Sequence, residues 1–229
     1  MFKTRSLKLE RIDTGDYTGD EYDHFLREIK FINRFTGDLR ALRKTLFRDI
    51  KHEGLAKFSV LDVGAGSGEM LRAIAEFAGR TGRKSQLAGL ELNERSAKAI
   101  LEDSSNFQGL TSVRGNALAL PFADDAFDYA ICSLFTHHLS DEDIVKVISE
   151  MDRVACRAIF VTDLHRHPMA YVFYKVFCFA FRISPLVTED GSLSILKSFK
   201  PEELKKFGKA AGLKNASVYR SFPFRLILR

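Results

Sequence analysis

The segment Val60-Leu61-Asp62-Val63-Gly64-Ala65-Gly66-Ser67-Gly68-Glu69-Met70 runs from an apolar stretch into a glycine-rich turn and then into a helical pattern. Glycines let a chain turn sharply and bring backbone N–H groups against a ligand, and a helix start adds partial positive charge. The spacing here is G-x-G-x-G. The dinucleotide fingerprint is G-x-G-x-x-G, and Glu69 stands where its third glycine belongs. A carboxylate at that point repels a pyrophosphate. Asp62, two residues ahead of Gly64, is equally awkward for a phosphate and favourable for an ammonium group. The turn reads as a cradle for a ligand with a positive amino end and no phosphates.

Two further groups follow in chain order. Glu91, in Gly89-Leu90-Glu91-Leu92-Asn93, lies 23 residues after Gly68, about where such folds place the acid that accepts both ribose hydroxyls. Asn116, in Arg114-Gly115-Asn116-Ala117 ahead of Leu120-Pro121-Phe122, can accept from an adenine amino group. An asparagine there can equally shape a turn.

As a set, these residues resemble the class I S-adenosylmethionine-dependent methyltransferases, over about Phe58 to Asp163. That family has a D-x-G-x-G-x-G loop, an acid ending the second strand, G-[DN]-A…LPF after the third, and a strand similar to Phe127–Ser133 next. The resemblance implies S-adenosyl-L-methionine as cofactor and S-adenosyl-L-homocysteine as product. It implies that Asp62, Gly64, Ala65, Gly66 and Gly68 hold the methionine part, Glu91 and Leu92 the ribose, and Asn116 and Ala117 the adenine. Ser133 and Leu134 would lie near the sulfonium. Relatives usually carry aspartate where Asn116 stands, a departure that bears on affinity. The LPF segment is similar to small-molecule enzymes of quinone and natural-product biosynthesis. The segments from Ile32 to Leu42 and Thr188 to Leu204 are similar to methyltransferases found beside polyketide-forming enzymes.

Methyl transfer from a sulfonium is an in-line displacement, so much of its catalysis is positioning. An oxygen or nitrogen acceptor that must lose a proton also needs a base, since a phenol is mostly protonated at neutral pH. Phe135-Thr136-His137-His138-Leu139 follows the fourth strand and Leu164-His165-Arg166-His167 the fifth, both at ends where open α/β sheets bind ligands. His137 and His138 are the candidate bases; His165 and His167 are weaker ones, and any of the four can instead be a surface or helix-capping residue. No metal cluster is expected from the histidine and cysteine spacing.

The elements that position these groups are legible in outline. Tyr22, Phe25, Leu26, Ile29 and Ile32 share one helical face, and Leu39, Leu42, Leu46, Phe47 and Ile50 another. After Gly54, strands at Phe58–Val63, Leu87–Leu92, Thr111–Arg114, Phe127–Ser133 and Ala158–Asp163 alternate with helices. Two short apolar runs, Ala216–Tyr219 and Phe224–Leu228, are close enough to form only an antiparallel hairpin. The expected fold is therefore an α/β, Rossmann-like, doubly wound seven-stranded sheet, mostly parallel with an antiparallel C-terminal hairpin strand and helices on both faces. Residues 1–54 form an N-terminal helical cap, and 55–229 form the methyltransferase domain with a helical lid inserted at 166–199.

The segment 168–183 is apolar nearly all round, so it should be covered: by the core, as a lid over the acceptor pocket, or by peripheral contact with a membrane. Ser184–Ser198 reads as a loop continuing the lid. With 20 phenylalanines in the chain, the acceptor is expected to be a small apolar or aromatic molecule such as a phenol, quinone or polyketide, methylated on oxygen or carbon. Three cysteines, an odd number, and a start without a secretory pattern point to a reducing, cytoplasmic setting. A net charge of +5, with basic and acidic groups interspersed outside the N-terminal third, gives no expectation of a nucleic-acid partner. Oligomeric state is not readable. Three rival readings are weaker: a nicotinamide-dependent dehydrogenase, opposed by the glycine spacing; a nucleic-acid methyltransferase, which lacks an N-P-P-Y-like motif after the fourth strand; and a non-catalytic cofactor-binding scaffold.

Overall fold

Strand β1 (Lys57–Val63) sets the architecture by facing two apolar clusters at once: Phe58 and Val60 enter one, Leu61 and Val63 the other. A strand apolar on both faces must be covered on both, which calls for a parallel sheet between helical layers. The computed structural model describes residues 2–33 and 35–229, apart from the side chains of residues 22, 23 and 26. The Tyr22 and Leu26 part of the first predicted helical face lies outside the described residues.

The sheet has seven strands in the order β3-β2-β1-β4-β5-β7-β6. The others are β2 (Lys84–Glu91), β3 (Leu110–Arg114), β4 (Phe127–Ser133), β5 (Ala155–Leu164), β6 (Val218–Ser221) and β7 (Arg225–Leu228). Strands β1 to β5 pair in parallel; β7 runs antiparallel to both β5 and β6. One helical layer holds α3 (Asp38–Lys44), α4 (Leu46–His52), α5 (Glu69–Arg80) and α6 (Glu94–Glu102), through Leu42, Phe47, Ile74, Phe77 and Ile100. The other holds α7 (Asp141–Val154) and α10 (Pro201–Ala210), through Ile144, Val147, Ile148 and Leu204. Outside these layers lie α1 (Arg11–Thr14), α2 (Gly19–Asn33), α8 (Pro168–Ala180) and α9 (Pro185–Lys197). A buried bidentate pair from Arg225 to Asp38, 2.6 and 3.0 Å, fastens α3 to β7.

The chain builds outward from β1 through β2 to β3, then returns to place β4 on the other side of β1. That reversal opens a crevice at the carboxyl ends of β1 and β4, where the glycine turn and the His137–His138 turn both begin. Among the described residues, no helix is long and apolar enough to cross a membrane.

Three sequence expectations need correction. Residues 185–197 are helical, not a loop: Ser184 caps α9, Pro185 opens it, and Gly191 sits mid-helix because Tyr174 Oη occupies the space a Cβ would need. The single helical run expected over Leu39–Ile50 is two helices, broken at Thr45. Segment 168–183 is not covered all round; in α8 only Ala170 and Cys178 are buried.

Candidate active site

The turn after β1 takes its shape from three glycines in the left-handed region: Gly64 at φ 72°, Gly66 at 54° and Gly68 at 80°. At Gly64 a side chain is excluded twice over, by that φ and by the Phe135 ring, whose Cγ would lie 2.6 Å from a Cβ. Phe135 thus packs the loop after β4 directly onto the glycine turn. Gly64 and Ala65 N–H donate to Leu90 O at 2.9 and 3.1 Å, which ties the turn to β2. Glu91 completes the frame. Its Oε2 accepts from Gly66 N–H at 2.9 Å, and its Oε1 from Leu92 and Asn93 N–H at 2.9 and 3.1 Å. Leu92 itself is exposed beside this carboxylate.

Asp62 is buried at the floor of the turn and, among the described residues, no hydrogen-bond donor serves its carboxylate. Burial, reinforced by the charge of Glu91, pushes its carboxyl up to about 7. A cationic ligand group would relieve that cost, which fits the ammonium end of S-adenosylmethionine. Because the folded value lies above the unfolded 3.8, stability is fully present below about pH 4. It falls as pH rises through 7, by about 4 kcal/mol at most. Asp62→Asn is therefore expected to melt several degrees above the wild type at pH 8, with the gap closing towards pH 4. The same variant should bind S-adenosylhomocysteine about tenfold more weakly or worse. Thermal melts across pH with parallel titrations check both; a variant less stable than wild type at pH 8 contradicts this assignment.

Asn116 is exposed, and its Oδ1 accepts from Leu118 N–H at 2.9 Å, a turn-shaping bond that leaves the side-chain amide to donate. Ala117 is buried in the core with Leu120. Ser133 ends β4, and Leu134 follows at φ 54°, its N–H donating to Thr162 O at 2.9 Å.

His137 and His138, in the short 3-10 turn Thr136–His138, sit in different settings. His137 is buried, with Nδ1 2.7 Å from Asp163 Oδ1. Asp163, fully buried at the end of β5, also accepts from Thr136 Oγ1 at 2.6 Å, His137 N–H at 3.1 Å and Leu164 N–H at 2.7 Å. Burial alone would raise the Asp163 carboxyl; His137 and these hydrogen bonds override it and hold it at about 2. In a neutral His137 that partner accepts a hydrogen bond from Nδ1–H and leaves Nε2 as the acceptor. His138 is half-buried and its Nδ1 lies 3.2 Å from the Asp13 carboxylate, in an ion cluster with Lys197 and Glu10.

Glu10, His137 and His138 offer donor atoms within 4.8 Å of one another, a set that could hold a divalent cation. His137 already spends Nδ1 on Asp163. The buried Lys197 ammonium stands 3.3 Å from Glu10 Oε1 and 3.1 Å from Asp13, so the chain already places a cation of its own between these two acids. His165 and His167 are engaged otherwise. His167 Nδ1 caps α8 by accepting from Met169 N–H at 3.1 Å. Burial and its neighbour His167 push His165 down to about 4.

Three residues of this site were not among the sequence candidates. Asp163 had a signal, a lone acid inside the apolar run Ala158–Leu164; Phe135 and Glu10 had none. The N-terminal segment closes over the same region. Arg5 donates to Lys197 O at 2.8 Å and Leu139 O at 3.1 Å, and Asp190 caps α1 through Arg11 and Ile12 N–H at 2.9 and 3.0 Å. Helix α2 reaches the start of α5 through Asn33 and Glu69, 3.4 Å, and α9 through Glu28, which accepts from Ser184 N–H at 3.0 Å.

A glycine turn and an acid at neighbouring strand ends, set at the switch point of a sheet with one antiparallel strand, define a nucleoside-binding α/β enzyme. The chain belongs to the class I S-adenosylmethionine-dependent methyltransferases of the small-molecule type. A family profile described as "Methyltransferase domain" matches residues 60–157. A ubiquinone biosynthesis O-methyltransferase from Azoarcus sp. is 30% identical over 175 residues, 73% of this chain and 69% of that protein. A demethylmenaquinone methyltransferase from Bacillus licheniformis is 28% identical over 177 residues, 70% of this chain and 72% of that one. Among solved structures, the Synechocystis magnesium protoporphyrin IX methyltransferase with bound S-adenosylhomocysteine has a TM-score of 0.64 at 15% identity. That match covers 96% of this chain and 98% of the other, and it bears on the fold alone.

Proposed function

We propose that this methyltransferase acts on a lipophilic phenol or enol of the quinone or polyketide type, with His137 as the base and Asp163 as the residue that positions it. The His137–Asp163 pair at the carboxyl end of β4, against the glycine turn through Phe135, carries this reading. S-adenosylmethionine supplies the methyl group. Asp62 and the turn Gly64–Gly68 receive its amino acid end, Glu91 and Leu92 its ribose, and Asn116 and Ala117 its adenine, with Ser133 and Leu134 beside the reacting centre. Removing the acceptor proton serves either outcome, since a phenolate is nucleophilic at oxygen and at its ortho carbon.

The acceptor side is apolar. Phe31 and Phe35 meet Phe177 and Phe181 of the α8 segment with ring centroids 5.6–6.3 Å apart, joining α2 and the turn after it to the lid. In this reading residues 1–54 act as a cap and 166–199 as a lid that excludes water. The two quinone-biosynthesis relatives point to the same acceptor class. Incubation with S-adenosylmethionine and paired acceptor panels tests it: lipophilic phenols and quinols should yield S-adenosylhomocysteine at least tenfold faster than small polar amines or alcohols. Turnover confined to the polar set contradicts the proposal.

A further inference from the structure

Helix α8 presents an apolar stripe that no other part of the described chain covers. Met169, Val172, Phe173, Val176 and Phe179 recur three or four residues apart, on one helical face. Each is at least 55% exposed, and Phe179 reaches 88%. The helix is held firmly from its other side, where Ala170 and Cys178 are buried and Tyr174 Oη donates to Val187 O at 2.7 Å. The stripe is therefore directed outward by packing. Exposed Phe181 continues it past the helix end, with exposed Phe35 stacked against Phe181 at 6.3 Å. On the other flank Phe173 meets Phe224 at 6.4 Å, and the nearby Phe222 is exposed. Single exposed apolar residues are ordinary, but a contiguous patch marks a binding surface.

The charge around the patch identifies what it binds. Helix α8 contains no acidic residue, and Arg182 follows it in an exposed position. The Arg40 guanidinium lies over the Phe222 ring at 5.6 Å, and exposed Arg43, Lys44 and Arg48 continue from it along α3 and α4. In a two-fold contact with a second copy, this basic flank would be brought close to its own kind. A negatively charged bilayer meets both halves of the surface. We propose that the α8 stripe, with Phe35, Phe181 and Phe222, docks the protein on an anionic lipid bilayer. The apolar side chains enter the boundary between headgroups and acyl chains, while Arg40 and Arg182 pair with lipid phosphates. The attachment is peripheral, and it stands apart from the identity of the acceptor.

The chain contains no tryptophan, so Phe179→Trp introduces a single reporter at the most exposed point of the stripe. With phosphatidylcholine vesicles containing roughly one-quarter phosphatidylglycerol, its emission should shift to the blue and be quenched by brominated acyl chains. Partition should weaken severalfold on pure phosphatidylcholine and again in about 0.5 M salt. Adding Phe173→Asp and Val176→Asp should lower partition at least tenfold, with the circular-dichroism melt and S-adenosylhomocysteine binding unchanged. If those aspartates leave partition intact, or if the reporter stays in water with anionic vesicles, the proposal is overturned. A blue shift that appears without lipid and grows with protein concentration, alongside a doubled mass by light scattering, also overturns it and gives the face to a second copy.

Discussion

Asp163→Asn is expected to lower kcat by about 10²–10⁴-fold, the range spanned by general acid–base catalysis. In the proposed function Asp163 acts through His137. As a carboxylate it accepts a hydrogen bond from Nδ1–H, 2.7 Å, and would present Nε2 as the base, whereas an asparagine amide can donate there and invert the tautomer. The same change perturbs a fully buried acceptor of four hydrogen bonds, so a loss of about 2–4 kcal/mol accompanies it. The sign with pH follows from the folded value of about 2, below the unfolded 3.8. The stability Asp163 contributes is present above about pH 4 and is lost as pH falls through 2, so the variant's deficit should be full at neutral pH and vanish in acid. Thr136→Val separates catalysis from folding. It removes one hydrogen bond to Asp163, 2.6 Å long, and should cost about 1–2 kcal/mol with kcat within a few-fold of wild type. A purely structural Asp163 would show the melting loss with the kcat–pH profile unmoved, and His137 would then not be the base.

Glu91→Ala should act on the donor instead. Its carboxylate gathers three backbone N–H groups of the glycine turn and the β2 end. In the proposed assignment it also accepts both ribose hydroxyls. Two charge-assisted hydrogen bonds contribute roughly 1.5–3 kcal/mol each, so affinity for S-adenosylhomocysteine should fall by at least tenfold and KM for S-adenosylmethionine should rise in step. At saturating donor, kcat should stay close to wild type. Direct titration with steady-state kinetics separates this pattern from that of Asp163→Asn, and an unchanged affinity would remove Glu91 from the binding site.

What was legible in the sequence was local or periodic. The turn Gly64–Gly68 and the acid at Glu91 are each announced by residues within a short stretch of chain. The sheet followed from apolar strands separated by amphipathic helices. What stayed hidden is made by contacts across the fold. Spacing could not separate His137 from His138, because the difference is Asp163, 26 residues away on the next strand. The ion cluster joins Glu10 and Asp13 to Lys197 from opposite ends of the chain, and no short pattern announces it. Helix α9 was obscured by Gly191 and its polar neighbours; the tyrosine that makes that glycine suitable belongs to another helix. Asn116 was ambiguous on chemistry alone, and its bond from Leu118 N–H is compatible with either role.

Cofactor binding in the proposed assignment requires the buried, donor-starved Asp62 to meet the cationic end of an adenosyl ligand. Calorimetric titration of the protein with S-adenosylhomocysteine at pH 7, repeated in buffers of different ionisation enthalpy, tests this directly. With the Asp62 carboxyl raised by burial when free, binding should show one site and release a fraction of a proton, and Asp62→Asn should abolish that release. Absence of binding heat from folded protein in every buffer, or binding with no proton release at pH 7, would contradict it.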